Sequence, residues 1–284
     1  MTPAPTPVPH AERGLAAWAA HAGPGPGQGQ AAQLPSGPRE AEKKRITGIA
    51  LAAVAPATGL RLGGSRALVL HGLTERLTDD IDLFAPPGRN GYQQAVVDAL
   101  RAAGYDVAAD VTDSGATLVV TTASGEQVDL EMASSLPLKD APAMVDGIPV
   151  MSVADCVRLK FGAVCSSKPR DKDLIDIHGI FERLGPDYIR QLDVNPLLLA
   201  GFFRSLKRAG DVGDETFAGF GVPPERAARI RQDLVQQSGR ADEVEAEILA
   251  QFSRAQPKKA EKARTARKQP WWTCLMPCCG PQDD

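Results

Sequence analysis

The chain has 284 residues, 43% of them hydrophobic and 24% charged, and a formal net charge of −3 from 32 Lys+Arg against 35 Asp+Glu. That balance excludes disorder over the whole chain and excludes a protein that coats nucleic acid through bulk charge, while the length allows one or two domains with a full core. Five cysteines are too few for a disulfide scaffold, no apolar run approaches the roughly 18 residues of a membrane span, and no secretory signal pattern opens the chain, so a soluble cytoplasmic protein is expected.

Residues 1–38 hold eight Pro and six Gly. Such a stretch buries too little apolar area to offset its ordering entropy, which predicts a disordered tail with at most a short helix near Trp18. Order is expected from Arg39. The run REAEKKRITGIALAAVAP predicts a helix, and GLRLGGSRALVLHG a short strand, a Gly-Gly-Ser turn and a short helix ending at Gly72. TDDIDLFAP predicts a strand closed by Pro86 and Pro87. GYQQAVVDALRAAGY predicts an amphipathic helix stopped at Gly104. TLVVTTA and EQVDLEMA read as two strands separated by Ser-Gly, with further strands near Val107 and Val150. SVADCVRLKFGAVC reads as a helix capped by Ser152, and DKDLIDIHGIFERLG as another that stops at Gly185. Helices continue to about Phe252, with a break near Gly210–Pro224. The expected fold is therefore α+β: a small mixed sheet in a core at 39–185, a helical region at 186–255, and disordered tails at 1–38 and 256–284.

The segment Leu62–Phe84 carries the chemistry. Gly63, Gly64 and Ser65 form a tight turn at a helix start, where backbone N–H groups and a hydroxyl can cradle phosphate oxygens. Asp80 and Asp82 stand two apart on the following strand and so share a side. Paired carboxylates repel, and a divalent cation between them removes the conflict; oxygen ligands suit Mg²⁺ or Mn²⁺. Asp129, on a later strand, offers a third carboxylate, and Glu131 points the same way and competes for that place. Three such groups can support in-line displacement at phosphorus. His71 and His178 read as structural.

The order Gly63-Gly64-Ser65, a short helix, then Arg76, Thr78, Asp80 and Asp82 resembles the DNA polymerase β-like nucleotidyltransferases, and within them the AbiEii/AbiGii-type toxins and related minimal enzymes. Leu159-Lys160 and the run Arg170–Ile177 resemble later motifs of that group, so the likeness spans about residues 45–185. It implies that Gly63, Gly64 and Ser65 bind the triphosphate of an NTP and that Asp80, Asp82 and Asp129 hold Mg²⁺ or Mn²⁺. It also implies that Lys160 reaches the phosphates and that Asp173 and Asp176 line the nucleotide pocket. The reaction implied is transfer of a nucleotidyl group to an acceptor hydroxyl or phosphate, RNA or protein.

Residues 256–270 carry six basic side chains against Glu261, followed by Trp271, Trp272 and the cluster Cys274, Cys278, Cys279. These features suit contact with an anionic membrane surface. Two alternatives to the enzyme therefore stand at this level: a nucleotide-binding protein of weak or no activity on the same fold, and a membrane-surface protein acting through this tail.

Overall fold

The computed structural model describes residues 37–134, 138–166 and 170–255. The expected helix near Trp18, both terminal tails and the membrane-contact stretch 256–284 lie outside the described residues.

Helix α1 spans Pro38–Ala52, with proline in its first turn where the missing N–H costs nothing. A 3₁₀ turn and Gly59 at φ +70° lead into β1, Arg61–Leu62. Helix α2 (Gly64–Leu70) returns the chain to β2 (Ile81–Phe84), and α3 (Gln93–Ala102) buries Val96, Val97 and Leu100 before Gly104 ends it at φ +91°. Strands β3 (Asp106–Thr112), β4 (Gly115–Thr121) and β5 (Gln127–Ala133) form an antiparallel meander. β6 (Ala143–Val145) and β7 (Ile148–Val150) form a hairpin whose turn, Asp146-Gly147, has positive φ at both residues, as a type I′ connection requires.

The seven strands lie in the order β3-β4-β5-β2-β1-β7-β6. β2 runs parallel to β5, and β1 parallel to β7, within otherwise antiparallel pairing. Strict alternation in β5 sends Val128, Leu130 and Met132 into the core and leaves Gln127, Asp129 and Glu131 exposed. Helix α3 packs on β3 and β4 on the core side of the sheet, and α1 packs against α3.

Helix α4 (Val153–Val164) begins at Ser152, whose Oγ accepts a hydrogen bond from the Asp155 N–H at 3.0 Å. Helix α5 spans Asp171–Leu184 and ends before Gly185. The remaining helices are α6 (Tyr188–Gln191), α7 (Pro196–Ser205), α8 (Asp214–Gly219), α9 (Pro224–Ser238) and α10 (Arg240–Ala255). Their apolar faces join a core continuous with that of the sheet, from Ile46 through Leu118 to Ile230. Phe202 of α7 stacks on Phe161 of α4 at 4.9 Å and meets Phe181 of α5 edge-on at 6.3 Å, so the helical region braces the two helices that carry site residues. Among the described residues no helix is long and apolar enough to cross a membrane.

The element order matches the expectation, with local corrections. The strand near Val107 is seven residues long, because it pairs along its whole length with β4. β4 starts at Gly115, two residues before the expected TLVVTTA, and ends at Thr121. β6 carries no sequence signal of its own: three residues suffice because the Asp-Gly turn sets its register on β7.

Candidate active site

The two glycines of the turn have specific neighbours. Gly64 sits at φ +60°, and a Cβ there would overlap the Asp82 carboxylate; a Cβ on Gly63 would overlap the Phe84 ring. The Gly63 N–H also donates to the Asp82 carbonyl at 2.8 Å. The glycines thus let the turn lie directly against β2, and the Asp82 carboxylate rests on the Gly64 backbone.

Cross-strand register fixes what faces Asp82. Asp82 pairs with Glu131 in β5, Glu131 with Thr117 in β4, and Thr117 with Asp110 in β3, forming one row on one face. Asp129 lies on the same face one pleat repeat away, and the same register continued past Ile81 sets it level with Asp80. Glu131, rather than Asp129, therefore stands directly across from Asp82. A recess of about 260 Å³ opens on this face, lined by Phe84, Asp110, Thr117, Glu131 and Ala133 among others.

The electrostatics divide the two aspartates. Burial pushes the Asp82 carboxyl up to about 6, and the negative charges of Asp80 and Glu131 add to the rise against the opposing charges of Lys160 and Lys172. Burial would raise Asp80 too, but its hydrogen bond and charge contact with Lys172 prevail and hold it below its ordinary value. Lys172 Nζ lies 2.8 Å from Asp80 Oδ2.

Behind this face lies a buried ionic network. Asp176 accepts hydrogen bonds from Arg76 Nε at 2.8 Å, Arg76 Nη2 at 3.0 Å and Ser65 Oγ at 2.8 Å, and pairs with Lys160 Nζ at 2.8 Å. Lys160 also donates to Asp173 at 2.7 Å and to Ser65 Oγ at 3.1 Å; Arg76 Nη2 donates to the same hydroxyl. Lys160, Asp173 and Asp176 have side chains 3%, 1% and 0% exposed. Although burial opposes its charge, Asp176 is held down at about 2 by Lys160 and Arg76. Lys160 is likewise raised despite burial, through Asp176 and Asp173.

In this structure the Lys160 ammonium is shared between two buried carboxylates, Asp173 and Asp176, and Asp176 is also the partner of Arg76. The Ser65 hydroxyl is engaged by Asp176, so it acts in the network that fastens α2 to α5. Arg170 and Lys172 had no individual role in the sequence reading; Arg170 pairs with Asp173 at 3.1 Å, and Lys172 meets Asp80 across 92 residues of chain, a proximity only the tertiary fold creates.

Among the described residues no three His, Cys, Asp or Glu side chains are grouped tightly enough to enclose a metal ion. The donors nevertheless suit Mg²⁺ or Mn²⁺: two half-buried carboxylates close together, Asp82 without an ion-pair partner within 4 Å among the described residues and Asp80 holding a lysine ammonium. Mg²⁺ is commonly held by one or two carboxylates with substrate phosphates completing its shell, and this arrangement fits that mode.

The sequence matches the model of the family described as nucleotidyl transferase AbiEii toxin, type IV toxin–antitoxin system, over residues 49–269. Two solved structures resemble the fold. JHP933 from Helicobacter pylori superposes with a TM-score of 0.51 at 17% identity, covering 78% of this chain and all of that one. A second H. pylori structure, provisionally assigned as a nucleotidyltransferase, gives 0.51 and 17% over 75% of this chain and 98% of its own. At that identity the likeness concerns the fold. No curated protein matches the sequence.

Proposed function

The chain belongs to the AbiEii family of nucleotidyl transferase toxins, and from that membership we propose that it moves a nucleotidyl group from an NTP to an acceptor hydroxyl, with a divalent cation, at the face formed by Asp80, Asp82 and Glu131. One observation carries the reading. A half-buried carboxylate, Asp82, lies on the Gly64 backbone and faces Glu131 across the strand pair, and Glu131 in turn lines an open recess on the sheet. A carboxylate raised by burial and by like charges fits a site built for a cation.

In the transfer, the acceptor oxygen forms a bond to the α-phosphorus as the bond from that phosphorus to the bridging oxygen breaks. Pyrophosphate leaves with the electron pair. The hydroxyl proton passes to a carboxylate on the same face, and exposed Glu131 has room to take it, with Asp129 as the neighbouring candidate. Asp80 and Asp82 would hold the cation, which when bound supplies Lewis-acid polarisation and charge neutralisation for the leaving group. Arg76, Lys160, Asp173 and Asp176 are positioning residues: they lock α2, α4 and α5 together so that the turn, β2 and the start of α5 converge.

Incubation with each α-labelled NTP, Mg²⁺ or Mn²⁺, and total RNA tests the reading. Chelator-sensitive label in RNA or in protein supports it. Absence of transferred label with every NTP and both cations overturns it.

A further inference from the structure

The cations around the site fall into two tiers. The inner tier, Arg76 and Lys160, is sealed: their pairs with Asp173 and Asp176 are at most 3% exposed. Removing either partner would strand a buried charge, so these pairs are costly to break. The outer tier differs. Lys172 and Asp80 are 21% and 18% exposed, joined by one contact at 2.8 Å. Lys172 projects from the first turn of α5 on a four-carbon stem, while Asp80 immediately precedes β2, so no shared backbone constrains the pair.

The Lys172 ammonium sits on Asp80 Oδ2, where a cation bridging Asp80 and Asp82 would need a ligand. Asp82 has no ion-pair partner within 4 Å among the described residues, so a single-charge ammonium neutralises one carboxylate of the two. Beside Lys172 stands Arg170, 54% exposed, and Arg208 Nη2 reaches the Arg170 carbonyl at 3.4 Å. A lysine displaced from Asp80 therefore swings within a cationic neighbourhood suited to a polyphosphate.

We propose that Lys172 is an exchangeable counter-ion: it occupies Asp80 in the empty site, yields that carboxylate when a divalent cation arrives with a nucleoside triphosphate, and moves its ammonium onto the triphosphate. No covalent bond changes in this exchange; one ion pair is replaced by another. The inference rests on the nucleotidyl-transfer reading and adds to it a residue and an order of events.

The test is Mn²⁺ binding to the full chain, read by loss of the free Mn²⁺ resonance signal, for wild type, Lys172→Met and Asp82→Asn. Without nucleotide, Lys172→Met binds Mn²⁺ about fivefold more tightly, the worth of one partly exposed competing ion pair. In saturating Mn²⁺, the same variant binds an NTP analogue with a methylene α,β-bridge about fivefold more weakly, and Lys172→Arg restores most of that loss. A purely structural lysine would not move the two affinities in opposite directions. Lys172→Gln, read in the same way, replaces Lys172→Met should that variant fold poorly. Equal Mn²⁺ affinity in wild type and Lys172→Met, with binding lost in Asp82→Asn, overturns the exchange and leaves the cation site standing. Absence of Mn²⁺ binding in wild type and Lys172→Met alike overturns both.

Discussion

Replacing Asp82 with Asn should stabilise the protein while removing its activity, and the stabilisation should depend on pH. The side chain titrates near its ordinary value of about 4 in the unfolded chain and near about 6 in the folded one. Between these values the folded state holds the extra proton, so wild-type stability falls as pH rises from about 4 to about 6, and above that the full cost of the charge is present. A shift of roughly two units corresponds to about 3 kcal/mol at most, and residual solvent contact lowers this to about 1–3 kcal/mol. Asparagine keeps the volume against Gly64 and is neutral at every pH. For a folded part of this size each kcal/mol moves the melting temperature by roughly 2–4 °C. Calorimetry in chelator should therefore find Asp82→Asn melting roughly 3–10 °C above wild type at pH 8, and within about 2 °C of it at pH 4. Saturating Mn²⁺ at pH 8 should raise wild type and leave the variant unchanged. A variant less stable than wild type at pH 8, or stabilised equally at both pH values, would refute the origin assigned to the shift.

Other substitutions separate the roles of neighbouring residues. Lys160→Met should destabilise by about 3 kcal/mol or more, because Asp173 and Asp176 lose a shared buried ammonium and keep Arg170 and Arg76 as their basic partners among the described residues; thermal melting measures it. Gly64→Ala should cost stability and nearly all transfer, since it adds strain at φ +60° and drives a methyl group into the Asp82 carboxylate; soluble yield, melting and transfer rate report it. Glu131→Gln should lower the transfer rate at least tenfold more than Asp129→Asn, with melting temperatures of both near wild type, because register sets Glu131 opposite Asp82; steady-state kinetics of the two variants decide it.

The nearness of Asp80 and Asp82 was legible because it is local: they stand two apart in the chain, although the strand itself begins only at Ile81. Two glycines before a helix likewise mark a close approach of backbone to something. What they approach was not legible: the turn lies on Asp82 and Phe84, which requires the pairing of β1 with β2. The burial of Lys160 was readable from its position. It stands with Cys156, Val157, Phe161 and Val164 on one helical face, and that face is the buried one. A lysine on an apolar face needs buried carboxylates, and Asp173 and Asp176 stand on the next helix along the chain. The choice between Asp129 and Glu131 depended on the parallel register of β2 on β5, set by packing across more than forty residues of intervening chain. The contact of Lys172 with Asp80 is of the same kind, a product of how α5 docks on the sheet.

The central claim, nucleotidyl rather than phosphoryl transfer at Asp82, is tested most directly by following the fate of two labels. Wild type and Asp82→Asn are given the same NTP labelled at either the α- or the γ-phosphate, with Mn²⁺ and the acceptor. The account predicts that wild type attaches the α-label to the acceptor and releases the γ-label as pyrophosphate, while folded Asp82→Asn does neither. Attachment of the γ-label, or α-label transfer by Asp82→Asn at the wild-type rate, would contradict it.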